Sequence, residues 1–115
     1  MEDCIFCNII KGDIPSEKVY EDDFVYAFKD ISPVAPFHVL IIPKQHIRCV
    51  EDVTEENSGC IAKVYEAAAK IAADAGLMEH GGYRIVNNCG EGAGQTVWHL
   101  HFHMLGGRDM TWPPG

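Results

Sequence analysis

Three histidines recur at every second position near one end of the chain, in His99-Leu100-His101-Phe102-His103-Met104. On an extended strand successive side chains point to opposite faces, so the three imidazoles share one face at about 6.5 Å per step. Leu100, Phe102 and Met104 share the other face and anchor the strand on a core. Strict alternation with large apolar residues specifies a fixed platform, whereas a metal-affinity tract is polar throughout. Two chemistries suit such a platform. A His-X-His pair holds a catalytic metal; alternatively one imidazole is a nucleophile and its neighbours position the substrate and move protons.

Just upstream runs Cys89-Gly90-Glu91-Gly92-Ala93-Gly94-Gln95-Thr96. Gly90, Gly92 and Gly94 permit close backbone approach and positive φ angles, and exposed N–H groups in such a turn cradle an anion. The run opens a strand rather than a helix and lacks a Gly-Lys-Ser/Thr ending, so it is not a P-loop. A plain hairpin loop is the alternative; beside three histidines, a phosphate site is the better reading, with the Thr96 hydroxyl and the Gln95 amide at the same edge.

A second cluster is Cys4-Ile5-Phe6-Cys7. Two thiols three apart on a first helical turn supply half of a tetrahedral zinc site; two buried structural thiols are the alternative. The remaining ligands must come from a distance, and His46 and His99 are the candidates. His99 on a structural metal leaves His101 and His103 for chemistry. His38 either faces these two or is a satisfied core histidine. Asp30 either accepts from ribose hydroxyls, as a dinucleotide-site carboxylate does, or caps its loop. His80, beside Gly81-Gly82, reads as a solvated loop residue.

The elements that must position these groups follow from periodicity. Cys4 to Ile10 is a short helix stopped at Gly12. Val19–Asp22 is a short strand, and Phe24, Tyr26 and Phe28 alternate as in a half-buried strand. His38–Ile42 is a β-branched central strand buried on both faces. A long helix starts at Thr54 or near Ser58 and stops at Gly76, with an apolar stripe at Ile61, Val64, Tyr65, Ala68, Ile71, Ala72 and Ala75. Tyr83–Asn87 and Trp98–Leu105 complete about five strands. Short connections favour an antiparallel α+β sheet in a single domain, 1–115.

Composition bounds the function. The chain has 115 residues, 9 Lys plus Arg against 17 Asp plus Glu, and a formal net charge of −8. Such a balance excludes a broad polynucleotide-binding face, while leaving room for one small phosphate held by neutral donors. An apolar fraction of 47% excludes intrinsic disorder. No run approaches the roughly 20 apolar residues of a membrane span. The N-terminus, Met1-Glu2-Asp3-Cys4, lacks the basic flank and apolar core of a signal peptide. With five cysteines, an odd number, the expectation is a cytoplasmic protein with reduced thiols.

Gly94-Gln95-Thr96-Val97-Trp98-His99-Leu100-His101-Phe102-His103-Met104-Leu105 closely resembles the signature of the histidine-triad (HIT) superfamily of nucleotide hydrolases and transferases. Asp30-Ile31-Ser32-Pro33, Ala35-Pro36-Phe37-His38, Ile42-Pro43-Lys44 and the closing Trp112-Pro113-Pro114-Gly115 resemble its Hint branch, the purine nucleoside phosphoramidases. The resemblance implies an α+β HIT-like fold: a five-stranded antiparallel sheet, one short N-terminal and one long helix, and a homodimer whose sheets join into ten strands. It implies cleavage of the P–N bond of purine nucleoside 5′-phosphoramidates through a nucleotidyl-histidine on His101, supported by His103, His38 and Thr96. The implied substrate contacts are Phe6, Ile9, Phe28 and Ile31 around the base, and Asp30 at the ribose. Asn88, Gly94, Gln95 and Val97 lie at the phosphate, and Trp112 reaches the neighbouring subunit's site. Cys4, Cys7, His46 and His99 resemble the structural zinc ligands of bacterial members, with no cofactor required for the chemistry. A dinucleoside polyphosphate hydrolase, a nucleotidyl transferase, or a nucleotide-binding interaction module are the alternatives.

Overall fold

The computed structural model describes residues 3–115; Met1 and Glu2, part of the acidic N-terminal stretch, lie outside the described residues. In chain order the elements are α1 (Ile5–Lys11), β1 (Lys18–Glu21), β2 (Val25–Lys29), β3 (Phe37–Pro43), α2 (Gly59–Ala75), β4 (Tyr83–Val86) and β5 (Phe102–Gly106). The strands form one antiparallel sheet in the order β1-β2-β3-β5-β4. The β-branched run 38–42 thus becomes the central strand, and its register pairs Leu40 with His103 and His38 with Leu105.

Side-chain alternation in β3 sorts the core into two layers. Val39 and Ile41 join Val25, Ala27, Leu100, Phe102 and Met104 beneath α2, against its Val64, Ala68 and Ile71. Leu40 and Ile42 point the other way and join Tyr26, Phe28 and the α1 residues Phe6 and Ile9. Both sheet faces are therefore covered, which corrects the half-buried reading of 24–28: Val25 to Phe28 are all buried, and Phe24 is outside β2 and exposed. The α1 helix is capped at its start by the Cys4 Sγ, which accepts from the Cys7 N–H at 3.3 Å, and at its end by Gly12 in the left-handed region.

α2 begins at Gly59, directly after its N-cap Ser58, the later of the two expected starts, with Glu55–Ser58 in turns; its buried face takes in Ala67, while Tyr65 and Ala75 are exposed. One other boundary shifts. The last strand begins at Phe102, because the neighbouring ladders end at Ile41↔Phe102 and Val86↔His103. Residues 98–101 have no strand to pair with. They are held singly instead, by the Leu100 N–H on the Ile47 carbonyl at 2.7 Å and by the Asn87 amide on the His101 carbonyl at 2.9 Å. The predicted in-out alternation survives without the ladder: Leu100 still joins the α2 layer, and His99 and His101 the opposite side.

Ile41 is fully buried and Ile31 is 98% exposed. Ile41→Ala is expected to lower unfolding stability by about 2–5 kcal/mol and Ile31→Ala by less than about 0.5 kcal/mol, measured by chemical denaturation.

Candidate active site

His101 is buried, and its Nδ1 lies 2.8 Å from the carbonyl oxygen of His99. A carbonyl only accepts, so Nδ1 carries the proton and donates. Burial pulls the His101 pKa below the usual imidazole value, against the opposing pull of the His99 carbonyl and of Asp30. The neutral ring therefore keeps its lone pair on Nε2.

A second chain of bonds fixes the other two histidines. The Val34 N–H donates to His38 Nδ1 at 3.1 Å, so the neutral His38 carries its proton on Nε2. That Nε2 lies 2.9 Å from His103 Nδ1 and 3.4 Å from Asp30 Oδ2. His103 Nδ1 accepts, and the remaining His103 proton sits on Nε2. Burial first, then the neighbouring His101 and His38, holds the His103 pKa down to about 4; burial also lowers His38, partly countered by Asp30. The rings of His101 and His103 are 5.2 Å apart, closer than the strand step because they tilt edge to face.

His101 and His103, with Asp30 and Thr96, form the polar end of a cleft of about 350 Å³ whose apolar wall includes Phe6, Ile9, Phe28, Ile31 and Val97; His38 reaches it only through His103 and stands outside the lining. Phe6 sets its ring edge to face against Phe28, His99 and His101. Leu40, Ile5, Ile14 and Pro15 also line the cleft. Sequence pattern gave them no signal beyond apolar character. Asp30 caps its loop, Oδ1 accepting from the Ser32 N–H at 2.7 Å, while Oδ2 lies 3.4 Å from His38 Nε2 and the residue lines the cleft.

Four expected contacts stand outside the cleft lining. Gln95 is buried; its side chain accepts from the Gly90 N–H and donates to the carbonyls of Arg48 and Val97, each at 3.0–3.1 Å. Its own N–H donates to Gly90, and that of Gly94 to Glu91. The glycine turn is thus closed on itself, Gly92 is not in the positive-φ region, and its amides are largely committed internally. The N–H groups of Thr96 and Val97, two residues of the cleft lining, have no backbone partner among the described residues. Gly94, at φ +98°, packs against the Asn88 amide, which lies 3.4 Å from where a Cβ would be. Trp112 is 81% exposed, with the Arg84 guanidinium 6.0 Å from its ring. Asn87, unmarked by any motif, ties down the segment before β5 by donating to the His101 carbonyl.

Behind the cleft, Cys4, Cys7, His46 and His99 bring their ligand atoms within 4.8 Å of one another. His99 Nδ1 lies 3.4 Å from Cys4 Sγ, 3.5 Å from Cys7 Sγ and 3.2 Å from His46 Nδ1, and Cys7 Sγ lies 3.3 Å from His46 Nδ1. Ligands at zinc bond lengths in a tetrahedron stand about 3.3–3.8 Å apart, so the donor set fits a metal. The tautomer fits as well: His99 Nε2–H donates to the Pro43 carbonyl at 2.8 Å, which leaves Nδ1 bare and turned to the thiols. Burial and the adjacent Cys4 push the Cys7 thiol up to about 11; a bound cation displaces such protons. His38, Asp30 and His103 also lie together, but their atoms are already joined by the hydrogen bonds above.

A family model described as HIT domain matches residues 11–110. An uncharacterised HIT-like protein of Synechococcus elongatus is 49% identical over 99% of this chain and 98% of its own length. The purine nucleoside phosphoramidase of Escherichia coli is 48% identical over 95% of this chain and 91% of its own. A HIT family hydrolase from Legionella pneumophila superposes with a TM-score of 0.94 at 50% identity, covering 98% of this chain and all (100%) of that one. A histidine triad protein from Clostridium difficile superposes at 0.92 and 44% identity, covering 96% of each chain. Sequence and backbone agree over almost the whole length, and the histidines of the cleft are those of the signature: the chain belongs to the HIT domain family and has the fold of its hydrolases.

Proposed function

We propose that this hydrolase cleaves the P–N bond of purine nucleoside 5′-phosphoramidates through a nucleotidyl group carried on His101. The observation that carries the reading is the 2.8 Å bond from His101 Nδ1 to the His99 carbonyl, which leaves the Nε2 lone pair in a cleft lined by His101 and Thr96. In the first step the Nε2 lone pair attacks phosphorus, the P–N electrons pass to nitrogen, and that nitrogen takes a proton and departs as the amine. In the second step water attacks phosphorus, the N–P bond breaks back to Nε2, and the nucleoside monophosphate leaves. One hard displacement becomes two easier ones.

The other residues divide the remaining work. His103 Nε2–H and the amides of Thr96 and Val97 face the phosphate oxygens. The Thr96 hydroxyl meets the leaving nitrogen, and His38 holds the His103 tautomer. Asp30 takes the ribose hydroxyls, and Phe6, Ile9, Phe28 and Ile31 enclose the base. No Lys or Arg lines this cleft among the described residues, which favours a single bridging phosphate over the polyphosphate chain of the dinucleoside alternative. Gln95, Gly94 and Asn88 act behind the Thr96 segment by holding its turn.

Zinc is the metal proposed for Cys4, Cys7, His46 and His99, with a structural role that ties α1 to the sheet and no part in the bond changes. The homodimer is supported by β4, an edge strand with one side unpaired in the sheet, and by the exposed Trp112, whose carbonyl neighbour Thr111 accepts from Arg84 of that strand at 3.0 Å. All five cysteines are free, in keeping with a cytoplasmic setting; no helix among the described residues is long and apolar enough to cross a membrane. The −8 charge is the support for excluding a nucleic-acid partner.

His101→Ala is expected to lower kcat/KM for adenosine 5′-phosphoramidate by more than about 10³-fold while AMP affinity, read by calorimetry, is kept. Rapid quench of wild type with a slow substrate should yield one nucleotidyl group on the His101 peptide by mass spectrometry, and an active His101→Ala sinks the nucleophile assignment. Protonation removes the Nε2 lone pair, so kcat/KM should be flat near neutrality. It should fall toward acid with a midpoint below the 6.5 of a free imidazole, because the His101 pKa is lowered. Metal analysis should give about one zinc per chain, and chelation should lower the melting temperature by at least about 10 °C. The rate per folded molecule should change less than the stability does.

A further inference from the structure

The two cysteines at the start of α1 are placed to bond to each other. They stand three apart on one helical turn, where Cα atoms lie about 5 Å from one another. The Cys4 carbonyl accepts from the Asn8 N–H at 3.0 Å, so Cys4 is already in helical register. Its Sγ accepts from the Cys7 N–H at 3.3 Å, and the two sulfurs flank one atom, His99 Nδ1, at 3.4 and 3.5 Å. A disulfide needs a Cα separation of about 4.4–6.8 Å and side chains that converge. Rotation about the Cα–Cβ bonds therefore closes this pair while α1 stays in place.

The pair can also be reached. A cleft of about 400 Å³, beside the one that holds His101, has Cys4 and His46 in its wall, while Cys7 stands outside its lining. The other three thiols differ. Cys49 is buried, and neither it nor Cys60 nor Cys89 belongs to the Cys/His cluster. Burial pushes the Cys60 thiol up, so it stays protonated near neutrality. The thiolate is the form that attacks an oxidant, and a cation held by Cys4, Cys7, His46 and His99 keeps its cysteine ligands deprotonated. A four-ligand site that loses both sulfurs keeps only two imidazoles, too few for structural zinc.

We propose that Cys4 and Cys7 form an oxidation site for small peroxides, at which closure of a disulfide discharges the metal. The Cys4 sulfur, on the cleft side, attacks one peroxide oxygen; the O–O bond breaks and hydroxide leaves. The Cys7 sulfur then attacks the Cys4 sulfur of the resulting sulfenic acid; the S–O bond breaks and a second hydroxide leaves. Each hydroxide takes up a proton, so two thiols and one peroxide become one disulfide and two waters. The inference rests on the metal reading of this cluster and not on P–N cleavage. Its test treats the zinc-loaded full chain with hydrogen peroxide, reads zinc with a chromogenic indicator, and maps cysteines by alkylation and peptide mass spectrometry. About one zinc per chain should be released, together with a Cys4–Cys7 peptide lighter by two hydrogens, while Cys60 and Cys89 still alkylate. Dithiothreitol followed by zinc should restore both thiols and metal. Cys60→Ser and Cys89→Ser should release zinc within about twofold of the wild-type rate, and Cys7→Ser should leave Cys4 as a sulfenic acid that dimedone captures. Zinc retained while Cys60 or Cys89 oxidises overturns the proposal, as does release with Cys4 or Cys7 joined to another cysteine or driven to sulfinic acid. A chain that takes up no zinc overturns the metal reading and with it the discharge; the same peptide map then decides whether the two sulfurs close.

Discussion

One hydrogen bond decides what the cleft can do: the His101 Nδ1 proton given to the main-chain carbonyl of His99. Without an acceptor on that side, a neutral imidazole exchanges between tautomers, and its lone pair spends part of its time facing inward. The carbonyl removes that freedom. Its own position is fixed from the other end of the same residue, because the His99 ring donates to Pro43 and turns Nδ1 to the thiols. Backbone and side chain of His99 thus serve two different sites at once, and neither can shift without the other.

Neutrality is the second organising property. Burial lowers the pKa values of His38, His99, His101 and His103, so hydrogen-bond direction rather than charge sets each ring's role. A protonated His38 has no lone pair for the Val34 N–H, the bond that ties down the Pro-rich loop, and a protonated His103 has none for His38. Asp30 supplies the counter-pull that keeps this histidine pair from becoming poorer bases still. On the proposed function, neutral donors rather than a basic patch would hold the phosphate, in a chain whose formal net charge is −8.

The alternation of His99, His101 and His103 with Leu100, Phe102 and Met104 was legible because both faces of that segment are packed, each by its own chemistry. The length of the strand was not, since ladders end where partner strands end, and those ends lie far away in sequence. Cys4, Cys7, His46 and His99 could be grouped from ligand types alone, and the fold brings them together. The reading of the glycine turn as an anion cradle missed Gln95, whose buried amide closes the turn from within. Asn87 carried no pattern at all: it acts through a single long-range contact, its amide on the His101 carbonyl. Strand β2 is covered on both faces, and its apolar residues Val25 and Ala27 were the available sign of it.

Helix α1 has seven residues, too few to persist alone in water. One side of it, Phe6 and Ile9, walls the cleft; Cys4 at its N-cap and Cys7 in its first turn belong to the Cys/His cluster with His46 and His99. Whatever orders the helix from one side prepays the entropy of ordering it for the other. On the proposed function, occupancy of the two sites would be thermodynamically linked through a common folding step, and by reciprocity each ligand would tighten the other by the same factor. On that reading, a seven-residue helix in this position would make recognition of a base sensitive to metal supply, through Phe6, whose ring packs on both His99 and His101.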